Sequence, residues 1–149
     1  MAPITSSIDI ARSPEDVFAY LDDLARHSEW QEGLVSARVD TPGPTTIGTK
    51  VTEVRRMGSR EMTMSYEITE HDPPRRFSFR VLDGPIRPLG HGTVESLDGG
   101  TRSRVTIVLD FQDYGLMGKL MLPLARSQAR KQVPKDQQNL KAKLESGAA

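Results

Sequence analysis

The order of hydrophobic and polar positions divides the chain into a series of strands followed by one long helix. Residues 60–71 alternate most clearly, with Met62, Met64, Tyr66 and Ile68 in one phase and polar residues in the other. A period of two is typical of a strand that buries one face. Shorter alternations of the same kind predict strands over residues 5–10, 35–39, 49–57, 77–81, 91–97 and 105–111.

Two short helices are predicted between the first and second strands. Ser13 can cap the free N–H groups of the first helix, and Pro14 suits its first position. The second lies around Trp30 and ends at Gly33. These two helices interrupt an otherwise continuous series of strands.

The long helix is predicted over residues 114–145. Its leucines recur in steps of four within two groups, Leu116, Leu120 and Leu124 and then Leu140 and Leu144. Pro123 and Pro134 each remove a backbone donor, so we expect a kink or a restart near each. A sheet with one apolar face needs a cover, and the sequence therefore predicts an α+β fold in which this helix lies across a curved antiparallel sheet.

Composition narrows the class of protein. The 149 residues suffice for one domain, which we place at residues 1–145 with a disordered tail at 146–149. Lys plus Arg and Asp plus Glu are both 20, so no net positive charge favours nucleic acid. There is no cysteine, and the three histidines lie on separate elements, so we expect no metal and no cofactor. Without a secretory or membrane-spanning apolar run, a cytoplasmic protein is expected.

Several motifs occur in an order that resembles the START-like, Bet v 1-like (SRPBCC) superfamily, and within it the bacterial polyketide cyclase/dehydrase branch. The resemblance spans essentially the whole chain. The segments that carry it are IDIARSPEDVF at residues 8–18, Trp30, IGT at 47–49, DPPRRF at 72–77 and GGTR at 99–102.

The resemblance implies a helix-grip fold, with a curved sheet of six to seven strands wrapped around the C-terminal helix. It further implies a cavity between sheet and helix for an apolar or amphipathic small molecule. Residues in the apolar phase of the strands and on the helix are expected to line that cavity, with Trp30 near its mouth. The other residues expected to line the cavity are Met62, Met64, Tyr66, Phe77, Phe79, Ile107, Leu109, Leu120 and Leu124. The same residues can also be read as the ordinary core of a half-buried sheet.

Three polar residues are candidates for chemistry. Tyr66 falls in the apolar phase, where its hydroxyl could orient a ligand or simply satisfy a buried partner. Arg55 and Glu53 share a phase with Val51 and would point inward, whereas Val54 favours the opposite phase or a bulge. An inward Arg55 could hold a carboxylate or enolate, and an outward one would be solvated or paired. His91 is an acid–base candidate if its strand borders the cavity.

The sequence leaves three functions open. The first is a binding or transport protein for a small hydrophobic molecule, as a monomer or homodimer. The second is an aromatase/cyclase that acts on a poly-β-keto chain, and the third is a protein-interaction module. Residues 119–143 carry seven Lys or Arg and one acid, which fits either transient contact with an anionic membrane or an ordinary solvated face.

Overall fold

The computed structural model describes residues 3–112 and 115–147. Strand β1 spans Ile4–Ile10, and helix α1 follows at Pro14–Asp22. The Oγ of Ser13 accepts the backbone N–H of Asp16 at 3.2 Å, with Pro14 in the first turn, as predicted. A 3₁₀ helix at Leu24–Glu29 is the second short helix.

Six further strands and one long helix complete the chain. A 3₁₀ turn at Asp98–Gly100 joins the last two strands. The remaining elements are β2 (Leu34–Val39), β3 (Lys50–Met57), β4 (Arg60–Asp72), β5 (Arg76–Val81), β6 (Leu89–Leu97), β7 (Arg102–Asp110) and α2 (Gly115–Glu145).

All seven strands form one curled antiparallel sheet in the order β1-β7-β6-β5-β4-β3-β2. Consecutive strands from β2 to β7 are neighbours, and β1 closes against β7. This arrangement with α2 across it is the helix-grip fold, and the predicted fold class is confirmed.

Helix α2 is held to β1 at its C-terminal half. The buried amide of Gln137 donates to the Ser6 carbonyl at 2.9 Å and accepts from the Ser6 hydroxyl at 2.6 Å. Lys141 donates to the carbonyl of Asp9 at 2.7 Å. Leu140 and Leu144 are fully buried against α1, β6 and β7, where the larger core cluster lies.

Helix α2 runs as one element through Pro123 and Pro134, so neither proline restarts it, and the alternative of a kink near each stays a prediction. A second expectation about α2 is wrong. Leu120 and Leu124 are 70% and 63% exposed, so they do not face the sheet. The two leucine groups were combined as one face, but Leu116 and Leu140 are separated by about 6.7 turns and cannot share a side. The predicted start at residue 114 lies outside the described residues.

The C-terminal tail is described in part. The backbone N–H of Ser146 donates to the carbonyl of Ala142 at 3.1 Å, which continues the last turn of α2. Residues 148 and 149 of the predicted disordered tail lie outside the described residues.

Glycines in β6 make room for aromatic rings on the concave face of the sheet. Gly90 pairs with Phe79, and Gly92 pairs with Phe77. A Cβ on Gly92 would lie 2.5 Å from the Cζ of Phe77, and one on Gly90 would collide with the ring of Phe79. The far ends of these rings therefore occupy the space beside the glycines, and a larger residue there would displace them.

Candidate functional site

The register between β3 and β4 decides which side of the sheet Glu53 and Arg55 face. Glu53 pairs with Met64, and Arg55 pairs with Met62. Val51, in the same phase, pairs with Tyr66, and both are buried. Because paired residues in an antiparallel sheet point to the same face, Glu53 and Arg55 lie on the concave side with Tyr66. Val54 lies in the opposite phase, so the question that the sequence left open is answered by the pairing.

Glu53 and Arg55 form an ion pair within this face. The Nε of Arg55 lies 3.1 Å from the Oε1 of Glu53, and a second guanidinium nitrogen lies 3.4 Å from Oε2. The side chain of Glu53 is 4% exposed and that of Arg55 is 32% exposed. A buried carboxylate needs such a partner, since its desolvation is costly. The charge of Arg55 is therefore already matched by a protein carboxylate.

A line of hydrogen bonds leads from this pair into the 3₁₀ helix. Arg55 donates to the Gln31 Oε1 at 2.5 Å, and the amide nitrogen of Gln31 lies 3.4 Å from the Nδ1 of His27. The Nε2 of His27 lies 2.7 Å from the carbonyl of Leu21 and therefore carries the hydrogen. Burial lowers the pKa of His27, so the imidazole is held neutral in the tautomer that accepts from Gln31.

Helix α2 contributes a buried acid, Asp136, to the same region. Its Oδ1 accepts the backbone N–H of Glu32 at 3.0 Å and the amide of Gln132 at 2.8 Å. Burial raises the pKa of Asp136, and the nearby positive charge of Arg55 acts in the opposite direction. The end of the concave face beside α2 thus carries two carboxyl groups around one guanidinium.

Tyr66 brings a neutral hydroxyl to the cluster. Burial raises the pKa of Tyr66 well above its ordinary value, and the charge of Glu53 raises it further, so the hydroxyl keeps its proton. Its ring contacts that of Phe79 at 5.5 Å between centroids. Among the described residues, no hydrogen bond satisfies this hydroxyl. The group is available as a donor on an otherwise apolar wall.

The apolar wall around the cluster is only half-buried, although it lies on the concave side. These side chains keep part of their apolar surface exposed, while their neighbours in the same phase, such as Ile68 and Val81, are fully buried. They are the predicted lining residues Met62, Met64, Phe77, Phe79, Ile107 and Leu109. The structure brings these six and Tyr66 to one face.

Four predicted site residues lie elsewhere. His91 stands between Gly90 and Gly92, which face inward, so its side chain is on the convex side and does not border the concave face. Leu120 and Leu124 are exposed on the outer side of α2. Trp30 is 7% exposed and packs in the core against His27, rather than standing at an opening.

Sequence reasoning did not identify Gln31, His27 and Asp136 as site residues. His27 lies in the 3₁₀ helix and Gln31 lies two residues after its end, and a polar pair four residues apart was the available signal. Asp136 was the one acid between Lys119 and Lys143 and was considered only for its charge. No group of three or more His, Cys, Asp or Glu side chains among the described residues could hold a metal ion.

Surface grooves elsewhere do not involve this wall. One is lined by Glu29, Asn139 and Lys143, and another lies beside Arg12 and Tyr20. The concave face is the candidate site because it combines the Arg55–Glu53 pair and Tyr66 with half-buried apolar side chains such as Phe79 and Leu109.

The model of one protein family, described as polyketide cyclase/dehydrase and lipid transport, matches residues 1–145. The chain belongs to this family. The resemblance to the polyketide cyclase/dehydrase branch, drawn from the order of the motifs, is thereby confirmed. A search of curated proteins finds no significant match.

Several solved structures share this fold at low sequence identity. An aromatase/cyclase named Zhui from a Streptomyces species is 13% identical, with a TM-score of 0.83 over 99% of this chain and 95% of that one. A Thermus thermophilus protein is 17% identical, with a TM-score of 0.80 over 99% of both chains. A START superfamily protein from Mycobacterium smegmatis is 10% identical, with a TM-score of 0.79 over 98% and 99%. At these identities the likeness establishes the fold alone.

Proposed function

We propose that the protein binds a small, uncharged amphipathic molecule on the concave face of its sheet. The observation that carries the proposal is the Arg55–Glu53 ion pair on a half-buried apolar wall. An apolar body would lie against Met64 and Phe79, and a carbonyl or hydroxyl group would meet Arg55 and Tyr66. Ligand sites commonly combine a mainly apolar lining with a few convergent polar groups.

The charge of the ligand follows from the charges already present. Glu53 neutralises Arg55, and Asp136 adds a second acid nearby. A ligand carboxylate would have to compete with Glu53 for the guanidinium and would lie beside a like charge. A neutral carbonyl needs only a donor, and the Tyr66 hydroxyl and the free guanidinium N–H groups supply it. The site therefore favours a ketone, ester, amide or alcohol over an acid.

The test compares two probes of the same shape, 2-acetylnaphthalene and 2-naphthoate, by ligand-observed NMR or calorimetry. We expect the ketone to bind at least tenfold more tightly than the carboxylate. Glu53→Gln should reverse this order, because it frees Arg55 to pair with the carboxylate. Arg55→Met should weaken both probes, and Arg56→Met, on the opposite face of the same strand, should change neither. Equal affinities, unaffected by Glu53→Gln, would remove the basis of the proposal.

The apolar wall has a separate test. Replacing Met62 and Met64 together by tryptophan should fill the concave face and abolish binding of 2-acetylnaphthalene, while circular dichroism and the thermal transition show a folded protein. Thr63, between them in the opposite phase, provides the control, and Thr63→Trp should bind the probe normally. Retained binding in the double variant would place the ligand elsewhere.

Aromatase/cyclase chemistry is the second candidate, and one observation favours it. Tyr66 and Arg55 both face inward, so a protonated hydroxyl and a guanidinium flank the same space. Such donors stabilise the enolate that forms when a β-diketone transfers an α proton to solvent water. We expect wild-type protein to accelerate deuterium exchange at the α carbon of 1-phenyl-1,3-butanedione, and Tyr66→Phe to remove that acceleration. If the wild-type protein did not accelerate the exchange, ligand binding would be the only one of the two functions left.

A further inference from the structure

The N-terminal half of α2 has a second apolar face that points away from the sheet. Gly118 and Leu122 are buried on the inner side of the helix. On the other side, four large apolar side chains are between 62% and 75% exposed. We call them the outer leucine face: Leu116, Met117, Leu120 and Leu124. Large apolar side chains grouped in this way on the surface mark an interaction site.

Positions along the helix show that these four form one continuous stripe. At about 100° per residue, Leu116, Leu120 and Leu124 follow one another around roughly 80° of the helix surface, and Met117 lies beside Leu124. Leu122 lies roughly opposite the middle of this stripe. This half of the helix therefore has two apolar sides. One of them meets the protein, and the other meets solvent.

The surroundings of the outer leucine face are strongly basic. Residues 115–135 contain five Lys or Arg and no Asp or Glu, although the whole chain carries equal numbers of both signs. Arg126 is buried, and the other four are exposed. None of those four forms an ion pair with any residue that the structure describes. They are Lys119, Arg130, Lys131 and Lys135.

We propose that the outer leucine face docks onto an anionic lipid bilayer, with α2 lying in the plane of the membrane surface. Exposed apolar side chains would enter the headgroup region, and lysines and arginines would contact lipid phosphates. In the described part of the chain, no helix is long and apolar enough to cross a membrane, which agrees with surface docking. A second copy of the chain is a poorer occupant, because two such faces would bring Lys119, Arg130 and Lys131 against their own like charges.

The test measures co-sedimentation of the full chain with vesicles. Vesicles of phosphatidylcholine and phosphatidylglycerol in equal parts are compared with pure phosphatidylcholine. We expect binding to the anionic vesicles that weakens as salt is added, and at least tenfold less binding to the neutral ones. Leu120→Glu with Leu124→Glu should lower binding to the anionic vesicles at least tenfold, and replacing Lys119, Arg130 and Lys131 by glutamine should do the same.

Ile47 provides the matched control, because its side chain is 64% exposed but lies in the loop before β3. Ile47→Glu should leave vesicle binding unchanged. Since every substituted side chain is exposed, the variants should unfold at the wild-type temperature.

Absence of binding by the wild type, equal binding to neutral vesicles, or equal losses from Ile47→Glu would overturn the proposal. Self-association that Leu120→Glu abolishes, found by sedimentation velocity without vesicle binding, would assign the face to a second copy. None of these measurements involves the concave face, so the ligand proposal stands or fails separately.

Discussion

The guanidinium of Arg55 lies 3.1 Å from the carboxylate of Glu53, two positions away on the same strand, and both point into the concave face. Alternating residues of a strand share a face, so one short segment supplies both members of a buried pair. Glu53 is the more deeply buried member, and it relies on Arg55 for compensation of its charge.

Removal of Arg55 should therefore destabilise the protein beyond the loss of one surface ion pair. We expect Arg55→Met to lower the free energy of unfolding by about 2–3 kcal/mol, because a buried carboxylate is left without its cation. Urea unfolding followed by circular dichroism provides the measurement. Arg56→Met should cost less than about 0.5 kcal/mol, since its partner Glu61 is exposed. The double variant Glu53→Gln with Arg55→Met should recover part of the loss. A double variant less stable than Arg55→Met would contradict this account.

The glycines of β6 give a second prediction. Gly92→Ala should cost about 1–3 kcal/mol, because its Cβ would lie 2.5 Å from the Cζ of Phe77 and the ring must move. Gly33→Ala is the control, since a Cβ there meets nothing closer than the Arg56 carbonyl at 3.7 Å. In a double-mutant cycle, Phe77→Leu should reduce the penalty of Gly92→Ala, and strict additivity would show that the ring is not the cause.

Asp136 should make stability depend on pH in the sense opposite to most acids. Burial raises its pKa in the folded protein above the value of 3.8 in an unfolded chain. The folded state then holds a proton that the unfolded state has released, so stability falls as pH rises through this interval. Asp136→Asn keeps an oxygen for the N–H of Glu32 but does not titrate. The stability of Asp136→Asn relative to wild type should therefore increase as pH rises from about 3 to 7.

Asp40 provides a control of opposite sign for that experiment. Hydrogen bonds from Thr52 and Arg38 lower the pKa of Asp40, so its stabilisation is present above the ordinary pKa and is lost as pH falls through the lowered one. Asp40→Asn should therefore become less stable relative to wild type as pH rises. If the stability of both variants relative to wild type changed with pH in the same direction, the assignment of a raised pKa to Asp136 would be refuted.

Tyr66 should remain protonated where a free tyrosine ionises. Its pKa is raised by burial and by Glu53, and that of Tyr20 is raised to about 12 by burial and by its hydrogen bond to Glu29. We expect Tyr66→Phe to leave the phenolate absorbance of the native protein unchanged between about pH 9 and 11. Loss of one titrating group in that range would show that the hydroxyl is solvated. The unfolded variant, with one tyrosine fewer, provides the calibration.

The local patterns of the sequence were sufficient to predict the secondary-structure elements and the family. Alternation over residues 60–71 predicted β4, and Ser13 with Pro14 predicted the start of α1, because both signals depend on neighbours in the chain. Half-buried apolar residues of β4 and β5 were assigned to the correct face for the same reason. Turn and cap motifs in their order were specific enough for the family, although each of them alone is common.

Only the tertiary structure decided which phase faced inward where the pattern was mixed. Val51 and Val54 lie in opposite phases of β3, and pairing with Tyr66 and Thr63 assigned Glu53 and Arg55 to the concave side. Likewise, His91 and its glycine neighbours could have faced either way until β5 supplied the rings of Phe77 and Phe79. A period of two or of 3.6 tells which residues share a side, but the side that is buried depends on elements distant in the chain. For this reason Leu120 and Leu124, which were expected to line the cavity, lie on an exposed face of the helix.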